Sequence, residues 1–257
     1  MATLREAERA YDAAASTYDA LLVDAPRAPL HAAYRRCVRA GHTVVDAGCG
    51  TGIDSVFLAG LGARVVGIDI SAGMLDIARA RAAPAGASVR FVQADIERLG
   101  TLLAAPVDGI VSGFAALNTV PDLAGFAAAA HASLQPGGFL VAHVLTPGAL
   151  FDRLGDLSRG RVASAFGGRQ ERTRELFVGH TAVSHQLIRP DILYARHFAA
   201  RFLLEDLQQV GAFIPDDGPS RVPAGLVRSL RRLDHAAARW PWVRTHGRFA
   251  ILTLRAR

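Results

Sequence analysis

Val44-Val45-Asp46-Ala47-Gly48-Cys49-Gly50-Thr51-Gly52 is the stretch whose reading decides the fold of this chain. A short apolar run ends at an acid and is followed at once by three alternate glycines. Such a turn lets backbone approach a ligand closely and starts a helix directly after a strand. The nearest alternative is a dinucleotide fingerprint, whose third glycine comes one residue later and whose purpose is to hold a pyrophosphate. Asp46, two residues before the first glycine, would repel that anion and suits a cationic ligand instead.

Outward from this turn, short apolar runs alternate with helical windows. The texture predicts strands at 43–47, 64–68, 88–93, 107–113 and 138–145, and helices near 52–60, 72–83, 97–103 and 121–133. That alternation implies an α/β fold, with a mostly parallel sheet covered by helices on both faces. Residues 1–41 read as an N-terminal helical cap. Between 147 and 201 the alternation stops, and ERTRELFVGH, TAVSHQLIRP and DILYARHFAA carry rough strand periodicity. They predict an inserted antiparallel lid of three strands. Beyond it, LLEDLQQVG reads as a short amphipathic helix, AFIP as a short strand, Pro223 to Ala238 as a helix, and GRFAILTL as a last, antiparallel strand. The whole, 1–257, is read as one domain.

With these residues in view, VVDAGCGTG resembles motif I of the class I S-adenosylmethionine (SAM)-dependent methyltransferases, and VVGIDIS after the second strand resembles their motif II. Val92-Gln93-Ala94-Asp95-Ile96 and Pro136-Gly137-Gly138 are similar to two further signatures, so the resemblance spans roughly 43–145. It implies a Rossmann-like, seven-stranded, mostly parallel sheet, with SAM and its demethylated product SAH as cofactor. Asp46, Gly48 and Gly50 would line the methionine moiety, and Asp69 would take the ribose hydroxyls. Ile70, Met74, Asp95 and Ile96 would surround the adenine, with Gly113 at the end of the fourth strand. YDAAASTYD resembles a helix that folds over the cofactor in many small-molecule members, which assigns Tyr18 to the cofactor and Tyr11 to the catalytic group.

The fourth strand opens into Phe114 and Asn118, without the Asn/Asp-Pro-Pro-Tyr or Pro-Cys signatures of base methyltransferases. The expected reaction is therefore methyl transfer to an oxygen, nitrogen or carbon of a small molecule, driven by alignment. His143 and His185 are candidate bases. Phe114, Asn118, Arg174, His180 and His197 are candidate acceptor contacts, along with Arg153, Arg159, Arg161, Arg169 and Arg172 and the aromatics Phe151 and Phe166 of the insertion. The two alternatives are a non-catalytic SAM-binding structural or sensor protein and an RNA methyltransferase.

Composition narrows the partners. All 29 basic residues are arginine, and the net charge is +6. They lie singly or in pairs among 23 acids, without the basic, aromatic-interleaved run of a nucleic-acid groove, so a nucleic-acid substrate is disfavoured. Two cysteines are too few for a disulfide framework or a zinc site, so no metal is expected. The N-terminus lacks an apolar signal core and no stretch reaches membrane-span length. The expectation is a cytoplasmic monomer or homodimer without stable membrane insertion.

Overall fold

The computed structural model describes residues 4–21, 27–148, 157, 160, 171–213 and 224–257. Two helices come first, α1 (Leu4–Leu21) and α2 (Arg27–Cys37). The alternating region follows: β1 (Thr43–Ala47), α3 (Ile53–Gly60), β2 (Arg64–Asp69), α4 (Ala72–Ala82), β3 (Val89–Gln93), α5 (Leu99–Leu102), β4 (Val107–Ser112), α6 (Leu123–Ser133) and β5 (Leu134–Leu145). These bounds lie close to those read from the apolar runs. The remaining elements are β6 (Glu171–Val178), β7 (Thr181–Ile188), α7 (Pro190–Leu193), β8 (Phe202–Val210), α8 (Ala224–Ala237) and β9 (Phe249–Ala256).

The main sheet has the order β3-β2-β1-β4-β5-β9-β8. Its first five strands are parallel, and β9 runs antiparallel to both β5 and β8. This is the expected Rossmann-like, seven-stranded arrangement with an antiparallel last strand. Alternate residues supply the two cores, as the pleat requires. Val45, Ile110 and Leu140 pack with Leu99, Leu123 and Phe126 on one face. Val44, Val111 and Val141 pack with Leu30, Tyr34 and Leu58 on the other.

Three expectations need correction. The lid has two strands, β6 and β7, paired as a hairpin of their own. Its expected third strand is helical: Pro190 opens α7, and a π-helical turn runs from Tyr194 to Phe198. The first-turn proline favours the helix, and Leu193 and Phe198 are buried in the main core from it. LLEDLQQVG is not a helix but most of β8, and AFIP supplies no strand within the described residues.

The hairpin bridges the rest of the molecule. Val178 and Val183 pack on Ala10 and Ala14 of α1. On its other side, Asn118 donates to the carbonyls of Gln186 (2.6 Å) and Leu145 (2.9 Å) and accepts from the Leu145 amide (2.8 Å).

Candidate active site

The carboxyl ends of β1, β2 and β4 converge on a cleft with about 930 Å³ of empty space, its open mouth included. Gly48, where φ is +77°, sits so close to Ala116 that a Cβ would collide with that side chain. The amides of Gly48 and Cys49 both donate to the Ile68 carbonyl, at 2.8 and 3.0 Å, which ties the turn to β2. Asp46 is buried at the end of β1 and accepts from the Ser55 hydroxyl at 2.6 Å. Burial first, and the neighbouring Asp54 second, raise its pKa to about 7; the Ser55 bond and Arg27 oppose them.

Asp69 ends β2. One of its oxygens accepts from the Gly50 amide (2.8 Å) and the other from the Ser71 amide (3.0 Å), which leaves each a second lone pair towards the cleft. Burial raises its pKa, against the pull of those bonds. Ile70 of the β2–α4 connection and Met74 in the first turn of α4 line the same wall. Asp95 caps the turn that begins at Ile96 through a bond from the Glu97 amide, and both Asp95 and Ile96 line the cleft.

The outer wall is α1. Asp12 accepts from the Ser71 hydroxyl (2.5 Å) and the Gly73 amide (2.9 Å). Two turns along on the same face, Asp19 accepts from the Thr51 hydroxyl (2.6 Å) and from Arg81. These contacts lay the helix across the turn, with Tyr11 and Tyr18 in the cleft, edge to face at 5.9 Å. Burial pushes the Tyr18 phenol up to about 12 and Tyr11 higher still, so both keep their protons as hydrogen-bond donors.

Beyond Gly113 the chain takes a left-handed path through Phe114 (φ +43°) and Ala115 (φ +66°), an unusual pair of non-glycine residues in that region. A Cβ on Gly113 would lie 2.6 Å from an oxygen of Asp54. That buried carboxylate binds His31 (2.8 Å) and Arg27 (3.3 Å), and the Arg27 guanidinium sits 4.0 Å from the centre of the Phe114 ring. Among the described residues lining the cleft, five are carboxylates (Asp46, Asp54, Asp69, Asp95, Glu97) and one, Arg27, is a cation.

The ten residues assigned to the cofactor by resemblance all line this cleft, as do Tyr11 and Phe114. The other candidates lie elsewhere. His143 is buried on β5, stacked on Phe249 and beside Phe114, with no hydrogen-bond partner for either ring nitrogen. Burial lowers its pKa to about 4, so it is neutral, and it does not line the cleft. His185 is buried against its own strand, with Nδ1 on the Val183 carbonyl at 2.9 Å, and burial lowers its pKa as well. Asn118 spends its amide on the hairpin and β5. Arg174 and His180 are exposed on the hairpin, and His197 is half-buried in the π-helical turn. Arg153, Arg159, Arg161, Arg169, Phe151 and Phe166 lie outside the described residues, as does the Arg172 side chain.

Sequence reasoning passed over Arg27, Asp54, Asp12 and Asp19. The last two were within reach, since each acid follows a tyrosine in YDAAASTYD. Arg27 and Asp54 carry no signal of their own, because they meet only when α2 packs on α3.

The glycine turn, the acid ending β2 and the capped turn after β3 all face one cleft at the strand ends. Residues 44–138 match the methyltransferase-domain family. The match runs from β1 through the glycine turn to the Gly-rich turn of β5. Curated relatives include a ubiquinone biosynthesis O-methyltransferase of Nitrosococcus oceani, 37% identical over 38% of this chain and 42% of the relative. One of that name from Xanthomonas axonopodis is 33% identical over 49% and 56%. The chain thus spans about half the length of these relatives or less. Among solved structures, the DhpI–SAH complex superposes over 98% of this chain and 96% of its own with a TM-score of 0.61 at 20% identity. A Burkholderia thailandensis 1,6-didemethyltoxoflavin-N1-methyltransferase does so over 100% and 91%, with a TM-score of 0.57 at 20% identity. At such identity these likenesses show the fold alone.

Proposed function

We propose that the protein binds SAM in this cleft and transfers its methyl group to a small, largely apolar or aromatic molecule. The observation that carries the reading is the cleft's charge. SAM bears a sulfonium, an ammonium and one carboxylate, and the cleft offers several carboxylates and a single guanidinium. A pyrophosphate-bearing dinucleotide would meet Asp46, beside the glycine turn, with like charge.

The residues present fit the ligand. Asp69, already ordered by two backbone amides, has lone pairs for a ribose diol. Asp46, kept partly protonated by burial, gains a partner when a cationic group arrives. Arg27 has donors left beyond its bond to Asp54 for the carboxylate. Tyr11 and Tyr18 close the cleft from outside and exclude water with phenols that stay neutral. When bound, SAM supplies an activated methyl group for in-line displacement.

The chain's own contribution is alignment in a sheltered site. Among the described residues no histidine lines the cleft, so His143 and His185 take no direct part. The space beside Phe114, Thr119 and Pro121 is left for the acceptor, which favours an enzyme over a purely SAM-binding protein. Calorimetry with SAM, SAH and NAD tests the cofactor: SAM and SAH should bind and NAD should not, and the reverse pattern sinks the proposal. Transfer of label from methyl-labelled SAM into a pool of small aromatic hydroxyl and amine compounds tests the acceptor. Labelled RNA with no labelled small molecule would assign the activity to the other class.

A further inference from the structure

The segment between β8 and β9 holds an amphipathic surface that the cleft does not use. In α8, Val227, Asp234 and Ala237 are turned inward. Leu226 (51% exposed), half-buried Leu230 and Leu233 (43% exposed) are spaced i, i+4 and i+7, which forms a stripe about 10 Å long on a neighbouring arc, open to solvent at both ends. Exposed Trp240 and Trp242 follow directly, their rings 6.0 Å apart, and Trp242 is 62% exposed.

The polar arc of the same helix is basic. Arg228, Arg231 and Arg232 are exposed and have no ion-pair partner among the described residues. The helix's one acid, Asp234, faces away from solvent and accepts from the amides of Gly211 (2.8 Å), Ala212 (2.7 Å) and Phe213 (3.1 Å). The exposed charge of the helix is therefore positive.

Leucine on one arc, tryptophan in the turn that follows and arginine on the opposing arc is the chemistry of a helix lying in a membrane interface. Tryptophan suits the headgroup level, and arginine is drawn to anionic lipid. We propose that α8 and the Trp240–Trp242 turn dock this protein on an anionic phospholipid surface. The connection has a bearing on the site. Val210 at the end of β8 and Phe249 at the start of β9 are in register with Leu145, at the carboxyl end of β5. The connection therefore leaves and re-enters the sheet at the end where the cleft opens.

The test uses the full chain, whose two tryptophans both lie on this surface and report on it without a label. Co-sedimentation is measured with phosphatidylcholine vesicles and with vesicles half phosphatidylglycerol. Binding to the anionic vesicles alone, weakened by salt and accompanied by a blue shift of tryptophan emission, is the expected result. The triple substitution Arg228→Gln, Arg231→Gln, Arg232→Gln should weaken binding at least about tenfold. Leu226→Asp with Leu233→Asp should abolish the blue shift. All five positions are at the surface; melting and SAH titration of the variants check that the fold and the cleft are intact. Quenching of wild-type emission by brominated lipid gives an answer that needs no variant. Absence of anionic-vesicle binding overturns the proposal, even if the protein captures RNA or an acidic protein. So does binding without a change in emission, or binding undiminished in both variants. None of these outcomes touches the cofactor reading, which the SAH titration addresses separately.

Discussion

Asp46→Asn should make the protein more stable and a poorer binder at once. The wild-type carboxyl is buried, holds one hydrogen bond from Ser55 and lies near Asp54, and its pKa rises from 3.8 to about 7 on folding. A value raised on folding means that the folded state retains the proton. The stability tied to it is complete below the unfolded value and is lost as pH rises through the folded one. Between about pH 5.5 and pH 7 that loss is about 2 kcal/mol, at 1.36 kcal/mol per unit. Asparagine keeps the Ser55 bond and does not titrate. The variant should therefore gain about 2 kcal/mol on the wild type between about pH 5.5 and pH 8, a relative melting shift of roughly 4–8 °C for a chain of this size. Scanning fluorimetry of both proteins across that range, without ligand, measures it. SAH should meanwhile bind the variant more weakly, since its ammonium loses a carboxylate partner. A melting difference that does not change with pH, or a variant less stable at every pH, would refute the argument that Asp46 is an uncompensated buried charge.

Three other substitutions probe the same architecture. Asp69→Asn, which removes the charge and turns one of its two amide-bound acceptors into a donor, should weaken SAH by at least about 1.5–3 kcal/mol in calorimetry, and unchanged affinity would mean that another group holds the ribose. Gly48→Ala combines a left-handed backbone with a collision at Ala116, so urea denaturation should show a loss of about 2 kcal/mol or more; native stability would show that the turn can move away from β4. Asn118→Ala removes one hydrogen bond to the hairpin, at Gln186, and two to Leu145 of β5. It should cost about 3 kcal/mol and expose residues 171–188 to limited proteolysis, whereas an unaltered cleavage pattern would show that the hairpin's other contacts, on α1 and through Gln186 and Ile188, seat it.

The alternating half of the fold was legible because each strand end carries a residue with a local reason to be there: Gly48, Asp69, Asp95. β8 was not. Leu204 and Leu207 stand three apart, a helical spacing, yet both pack on the same core. A register shift between Leu204 and Asp206 changes the parity of the strand and brings both to one face, and nothing local announces it. DILYARHFAA misled in the opposite sense: Ile192, Tyr194 and Phe198 alternate as in a strand, but the π-helical turn places them by its own pitch. In the cleft, the cofactor wall could be read from motifs. Arg27, Asp54 and the burial of His143 depend on how helices and strands pack, which no short stretch encodes.

The position of β9 has a consequence for how the chain is made. β9 follows β8 in sequence but lies between β5 and β8, and β8 has no other neighbour in the sheet. On the ribosome, β1 to β5 can pair as they emerge, while the outer edge of β5 stays open and β8 waits without a partner. Only when residues 249–256 leave the exit tunnel can the sheet close. A nascent chain paused before that point presents an unpaired edge rich in Val and Leu, the kind of surface on which ribosome-bound chaperones act and aggregates begin.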